Sequence, residues 1–125
     1  YKTFGLERIS DLEITHKKFE YPKDFNPDSK FKYSFGIITD GTKPEKIKLW
    51  LSHNQANYVK SLPLHHSQKV VSENETECII ELYMSPTYDF VMELLSMGSE
   101  IKVLEPKSLQ EEIKSKLLQT LNLYP

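Results

Sequence analysis

One cysteine, four glycines, one tryptophan and one arginine are all that the 125 residues contain of these four types. The single thiol, Cys78, excludes an internal disulfide and suits a reducing compartment. Four glycines leave no glycine-rich phosphate loop. No apolar run approaches the ~18 residues of a bilayer span, and no signal-peptide pattern opens the sequence, so a soluble, cytoplasmic protein with no membrane partner is expected. Charge of neither sign dominates: the net charge is −2, without the basic face or high pI of a duplex-binding domain. Fifteen lysines stand against Arg8 alone, so a rigid two-pronged grip on phosphate or carboxylate has one possible source. Acidic residues are scattered over turns and helix surfaces, with no apolar pocket to raise a carboxyl pKa, and no Cys or His stands at metal-ligand spacing. No catalytic residue, metal or cofactor is expected, and the chain is read as a non-enzyme.

What is present is ordinary globular composition, 38% apolar and 27% charged, enough for one domain or a small domain plus part of another. The clearest stretch runs from Thr76 to Pro106. Cys78, Ile80 and Leu82 alternate with Glu77, Ile79, Glu81 and Tyr83, the period-2 pattern of a central strand. Ser85-Pro86 reads as a helix start, Phe90, Val91, Leu94 and Leu95 as its apolar stripe, and Gly98 as its stop. Ile101 and Val103 make a further strand that Pro106 ends.

In chain order, Tyr1 to Thr15 shows two pieces of alternation, Phe4 and Leu6, then Ile9, Leu12 and Ile14, which predict one or two strands with a bend near Ser10. A sequence that opens inside a strand suggests a piece of a longer protein. Phe19, Tyr21 and Phe25 are expected to pin the next segment to the domain surface. Asn26-Pro27-Asp28 starts a helix of about 27–35 that Gly36 closes. Ile47, Leu49 and Leu51 share one face of a strand, with Lys48 and Trp50 on the other. Ser52-His53-Asn54-Gln55 has the spacing of a capping box, and Ala56, Val59 and Leu62 line a short helix ending at Pro63. A strand of about 66–73 returns through a turn at Asn74 as a hairpin. Finally Leu109, Ile113, Leu117 and Leu121 mark an amphipathic terminal helix, with Ser108 and Glu111 at capping-box spacing.

The order strand, helix, strand, strand, helix, strand over 46–104 predicts an α+β fold: a ferredoxin-like βαββαβ arrangement, a four-stranded antiparallel sheet with both helices on one face and a C-terminal helix added. The division is 1–16, 17–44 and 45–125. The opposite sheet face would carry Lys48, Trp50, Ile79, Glu81, Tyr83 and Lys102, too apolar to be merely solvated. Either the terminal helix or a second copy should cover it, with Trp50, Ile79 and Tyr83 as interface residues. Aromatics on such a face can also stack bases, although the Lys/Arg-Gly-aromatic signature of RNA-recognition modules is absent and Glu77 and Glu81 would repel phosphate. His65-His66-Ser67-Gln68 could suggest a metal or acid–base pair. Adjacent strand residues point to opposite faces, however, and the favoured role is structural, with Ser67 or Gln68 bonding the loop backbone. Cys78 should be buried and inert. Arg8, beside Glu7, is either the end of an anionic ligand site or a surface ion pair worth ~0–1 kcal/mol.

Two stretches resemble WYL-domain transcriptional regulators of bacteria. Lys2-Thr3-Phe4-Gly5-Leu6-Glu7-Arg8-Ile9 resembles the last strand of the WYL barrel, and Phe19 with the helix of Asn26 to Gly36 resembles the segment after it. Leu62 to Gln68, Leu94 to Gly98 and Val103 to Pro106 resemble the C-terminal extension of those regulators. The resemblance implies a ligand-sensing and oligomerisation portion that relays effector binding to a DNA-binding domain absent from this chain. It further implies a homo-oligomer through the sheet face or terminal helix, and a nucleotide or nucleic-acid effector at the barrel, for which Lys2 and Arg8 are candidate ligand-binding residues. The chain departs from the pattern in having no helix-turn-helix, in Trp50 lying outside a Trp-Tyr-Leu motif, and in Lys2 standing where the family tends to have Arg. The rival readings are an ACT-like small-molecule module, which would want a glycine-rich turn where Ser52-His53-Asn54 stands, and a single-stranded nucleic-acid binder using the open sheet face.

Overall fold

A computed structural model describes residue 2 and residues 4–125. Four strands, β1 (Glu45–Ser52), β2 (Lys69–Glu73), β3 (Glu77–Met84) and β4 (Ile101–Glu105), form one antiparallel sheet in the order β2-β3-β1-β4. The helices are α1 (Pro27–Phe31), α2 (His53–Ser61), α3 (Tyr88–Ser96) and α4 (Lys107–Leu121). This is the α+β fold expected, with β1 and β3 at the centre. Their register sets Ile47 against Leu82, Leu49 against Ile80 and Trp50 against Ile79.

Alternation decides which side of that sheet is dry. Ile47, Leu49 and Leu51 of β1, Cys78, Ile80, Leu82 and Met84 of β3, and Val103 of β4 are buried with Ala56 and Val59 of α2 and Phe90, Val91 and Leu94 of α3. Each fully buried Leu, Ile or Phe contributes roughly 1.5–3 kcal/mol. Cys78 is free and buried, and burial is the main cause that pushes its thiol pKa up.

Local chemistry places the turns. The Ser52 hydroxyl accepts the Gln55 amide at 3.2 Å and caps α2. Asn74 Oδ1 accepts the Thr76 and Glu77 amides at 2.9 and 3.0 Å, closing the β2–β3 hairpin. Gly98, at φ +58, takes the left-handed conformation that ends α3. A bulge at Val70/Ser72 interrupts β2 on the outer edge of the sheet. On the other edge, the Gln110 side-chain amide from α4 donates to the Val103 and Leu104 carbonyls at 2.9 and 3.1 Å.

Several expectations are corrected. Among the described residues of 1–16 there is no strand. Leu6–Arg8 form a 3-10 turn, Asp11 has a positive φ, and Phe4, Leu6, Leu12 and Ile14 are exposed. Alternation supplies a strand's faces but not its ladder, and here no neighbouring strand supplies the hydrogen bonds. Tyr1 and Thr3, which that expectation included, lie outside the described residues. Helix α1 starts as expected, with Asn26 Oδ1 accepting the Ser29 amide at 3.3 Å, but stops at Phe31 rather than at about 35. Phe35 turns away to pack on Phe90, ring centroids 5.4 Å apart. Gly36 serves close approach instead of a helix stop, since a Cβ there would lie 2.5 Å from Asp89 Oδ2.

Strand β2 begins at Lys69, not near 66, because 62–68 is a hydrogen-bonded loop. Ser85 does not cap α3. Its hydroxyl donates to the Thr42 carbonyl and its amide to the Tyr33 carbonyl, both at 2.8 Å, while the Phe90 amide goes to the Asp89 carboxylate. Likewise Ser108 does not cap α4, which begins at Lys107 with no side-chain cap. Nor does α4 cover the open sheet face: Leu109 enters the core and Ile113 packs on it, so the helix joins the α3 side of the sheet.

Candidate functional site

The uncovered face is built by the residues that alternate away from the core. Trp50 of β1 sits between Ile79 of β3 and Lys102 of β4. Its indole N–H donates to the Glu77 carboxylate, and Lys102 Nζ lies 5.5 Å from the ring centroid, so the ring is held from one edge and from above. Trp50 and Ile79 are half-buried, and Tyr83 is 49% exposed. Tyr83 lies four residues beyond Ile79 on the same face, about 13 Å along the strand, with its ring edge-on to Tyr33 at 5.6 Å. The structure therefore joins Trp50 and Ile79 directly and sets Tyr83 at the far end of the stripe.

Ion pairs surround this stripe. Lys46 reaches Glu81 at 3.3 Å and Lys48 reaches Glu105 at 3.0 Å. Partly exposed pairs of this kind are worth ~0–1 kcal/mol. Their effect is electrostatic: they neutralise the face, which presents no field of one sign to a polyanion.

A second apolar feature lies on the other side of the molecule. Leu94 and Leu95 of α3, Ile101 of β4, and Ile113, Leu117 and Leu118 of α4 line a groove of about 510 Å³. Leu117 and Leu118 are each 52% exposed, so the distal half of α4 leans over the groove without filling it.

The two candidate ligand residues are not brought together with this surface. Arg8 lies in the 3-10 turn with its side chain 86% exposed and its Nε 3.7 Å from the carboxylate of its neighbour Glu7. Lys2 is exposed.

The loop before β2 holds what the sequence revealed only in part. Gln68 bonds the loop as expected, its Oε1 accepting the Leu64 amide at 3.0 Å and its Nε2 donating to the Val59 carbonyl at 2.9 Å. Ser67 Oγ accepts the Tyr83 amide at 2.9 Å and faces the Tyr83 carbonyl at 3.2 Å, occupying the place of a strand residue beside β3. His65 is buried at 7% exposure, and its ring stacks 4.0 Å from that of His66. The two rings share a side because 65–66 is loop and not strand. Burial comes first, and the neighbouring His66 second, in holding the His65 pKa below its ordinary value, against an opposing hydrogen bond to the Lys32 carbonyl. No group of three or more His, Cys, Asp or Glu among the described residues could hold a metal ion. No helix among them is long and apolar enough to cross a membrane.

Fold and surface together describe a small α+β module with one sheet face left open. The family model of the WCX domain matches residues 43–121, more than half of the chain. The chain belongs to the WCX domain family, the C-terminal extension of WYL-type regulators. A search of curated proteins finds no match.

Proposed function

We propose that this chain is the non-catalytic, ligand-sensing and oligomerising C-terminal portion of a bacterial WYL-type transcriptional regulator, acting in the cytoplasm. The single observation that carries the reading is a WCX-family sheet whose uncovered face holds Trp50 half-buried beside Ile79, with its charges paired off. Aromatic anchors in a neutral setting suit a protein contact better than a polyanion. A second copy is the partner, through this face or through the exposed end of α4. Lys2 and Arg8 supply the cationic end of a site for an anionic effector such as a nucleotide. Effector binding shifts the population between two arrangements of paired modules, and so the spacing of DNA-reading domains carried elsewhere in the regulator.

Sedimentation equilibrium over a wide concentration range tests the oligomeric part. Reversible self-association that Ile79→Lys weakens supports the sheet face, and weakening by Leu121→Gln instead assigns the contact to α4. A chain that stays monomeric throughout overturns the reading.

A further inference from the structure

The segment of 26–44 lies almost wholly ahead of the residues that the family model matches, 43–121, yet it is fastened to one end of the sheet. Ser85, buried just past β3, holds both ends of the loop 33–42: its amide donates to the Tyr33 carbonyl and its hydroxyl to the Thr42 carbonyl, each at 2.8 Å. The Lys32 carbonyl bonds His65 Nε2 at 3.0 Å. Between these ties Phe35 packs on Phe90, and Gly36 passes so close to Asp89 that a Cβ there has no room. The Tyr33 ring meets that of Tyr83, so the far end of the open face is built partly from this segment. By contrast Leu12, Ile14, Phe19 and Tyr21, ahead of it, are exposed.

We propose that residues 26–44 are a coupling strap that opens and closes as one unit, through which a displacement of α1 reaches Tyr83 on the open face. Helix α1 has five residues, too few to persist alone. Its order therefore depends on the attachment that follows it. Ser85 is the point at which the strap is held, since removing its hydroxyl leaves the loop 33–42 bonded at the Tyr33 end only. Opening uncovers Phe35 and parts the Tyr33 ring from Tyr83 while the β1–β3 ladder stays paired, so it is a local event that costs less than global unfolding. The strap rests on the fold alone. Its use as the route by which an effector signal arrives rests on the function proposed above.

Amide hydrogen exchange followed by NMR on the full chain tests the strap. The Lys30 and Ser34 amides, bonded to the Asn26 and Phe31 carbonyls, report on its start, and the Ser85 amide reports on its far attachment. Ser85→Ala should speed exchange at Lys30 and Ser34 about threefold or more, while Leu49 and Ile80 at the sheet centre hold. Asn26→Ala, which removes the cap of α1, should speed exchange at Ser85 in the same way. Digestion of the unaltered chain by a lysine-specific protease decides the matter even where a variant fails to fold: cutting after Lys17, Lys18 and Lys23 should be about tenfold or more faster than after Lys30 and Lys32. Sedimentation at the same concentration records the oligomeric state separately, so a chain that stays monomeric leaves this test standing. Lys30 and Ser34 exchange unmoved by Ser85→Ala, Ser85 exchange unmoved by Asn26→Ala, or cleavage after Lys30 as fast as after Lys23 would each overturn the strap.

Discussion

Gln68 makes one side chain serve two backbone groups that have no other partner in the loop. Its amide oxygen accepts from Leu64 and its amide nitrogen donates to Val59, and both bonds are half-buried. Gln68→Met keeps the length and volume and removes both bonds. An unmade bond to a buried backbone group costs ~1–3 kcal/mol. With half-burial favouring the low end, the pair is worth about 2–3 kcal/mol, a large share of the ~5–15 kcal/mol typical of a domain. Gln68→Glu separates the two: it keeps the acceptor for Leu64 but sets a carboxylate against the Val59 carbonyl. That environment raises the new carboxyl's pKa above its unfolded value of about 4.3. Its protonated form can donate to Val59, so the stabilising contribution is present below about pH 4.3 and is lost as pH rises through the folded pKa. Urea unfolding followed by emission of Trp50 measures the difference from wild type at each pH, with an unchanged slope confirming that only stability moved. Gln68→Met within about 0.5 kcal/mol of wild type, or a Gln68→Glu deficit that does not shrink on acidification, would refute this account.

Two further outcomes follow from the core and from His65. Phe90 is fully buried and paired with Phe35, so Phe90→Ala should cost ~3–5 kcal/mol, read as a lowered denaturant midpoint; a loss below about 1 kcal/mol would mean that the α3 layer collapses to fill the space. His65 has its folded pKa lowered from 6.5, so the unfolded chain binds more protons between the two values. Stability should therefore rise with pH up to about 6.5 and decline as pH falls below it, and His65→Gln should flatten that part of the melting-temperature profile.

The sheet was legible because its signals are local and repeated. Ile47, Leu49 and Leu51 against Cys78, Ile80 and Leu82 identify two strands with one dry face, and Ser52, Asn74 and Gly98 mark turns by their own side-chain or backbone chemistry. The outward residues Trp50, Ile79 and Tyr83 follow from the same alternation. What the sequence hides is tertiary. Phe4 to Ile14 has a strand's periodicity, yet periodicity cannot supply the neighbour that a ladder needs. Phe35 fits a helix stripe on paper but is claimed by Phe90, and Ser85 looks like a cap but is claimed by Thr42 and Tyr33. The terminal helix carries an obvious stripe, and only Leu109 reaching the core says on which side of the sheet it lies. His65 resembles its neighbour in sequence, and its distinction arises from a carbonyl contributed by Lys32, thirty-three positions away.

The Gln110 side chain has a consequence beyond its two hydrogen bonds. It occupies the Val103 and Leu104 carbonyls of β4, so those two acceptors are closed to an added strand, while on the opposite edge the bulge in β2 breaks the rhythm such a strand would have to match. Edge-to-edge growth needs two receptive margins, and in this sheet one carries a bulge and the other has two carbonyls already engaged. Both features work against edge-to-edge pairing between copies.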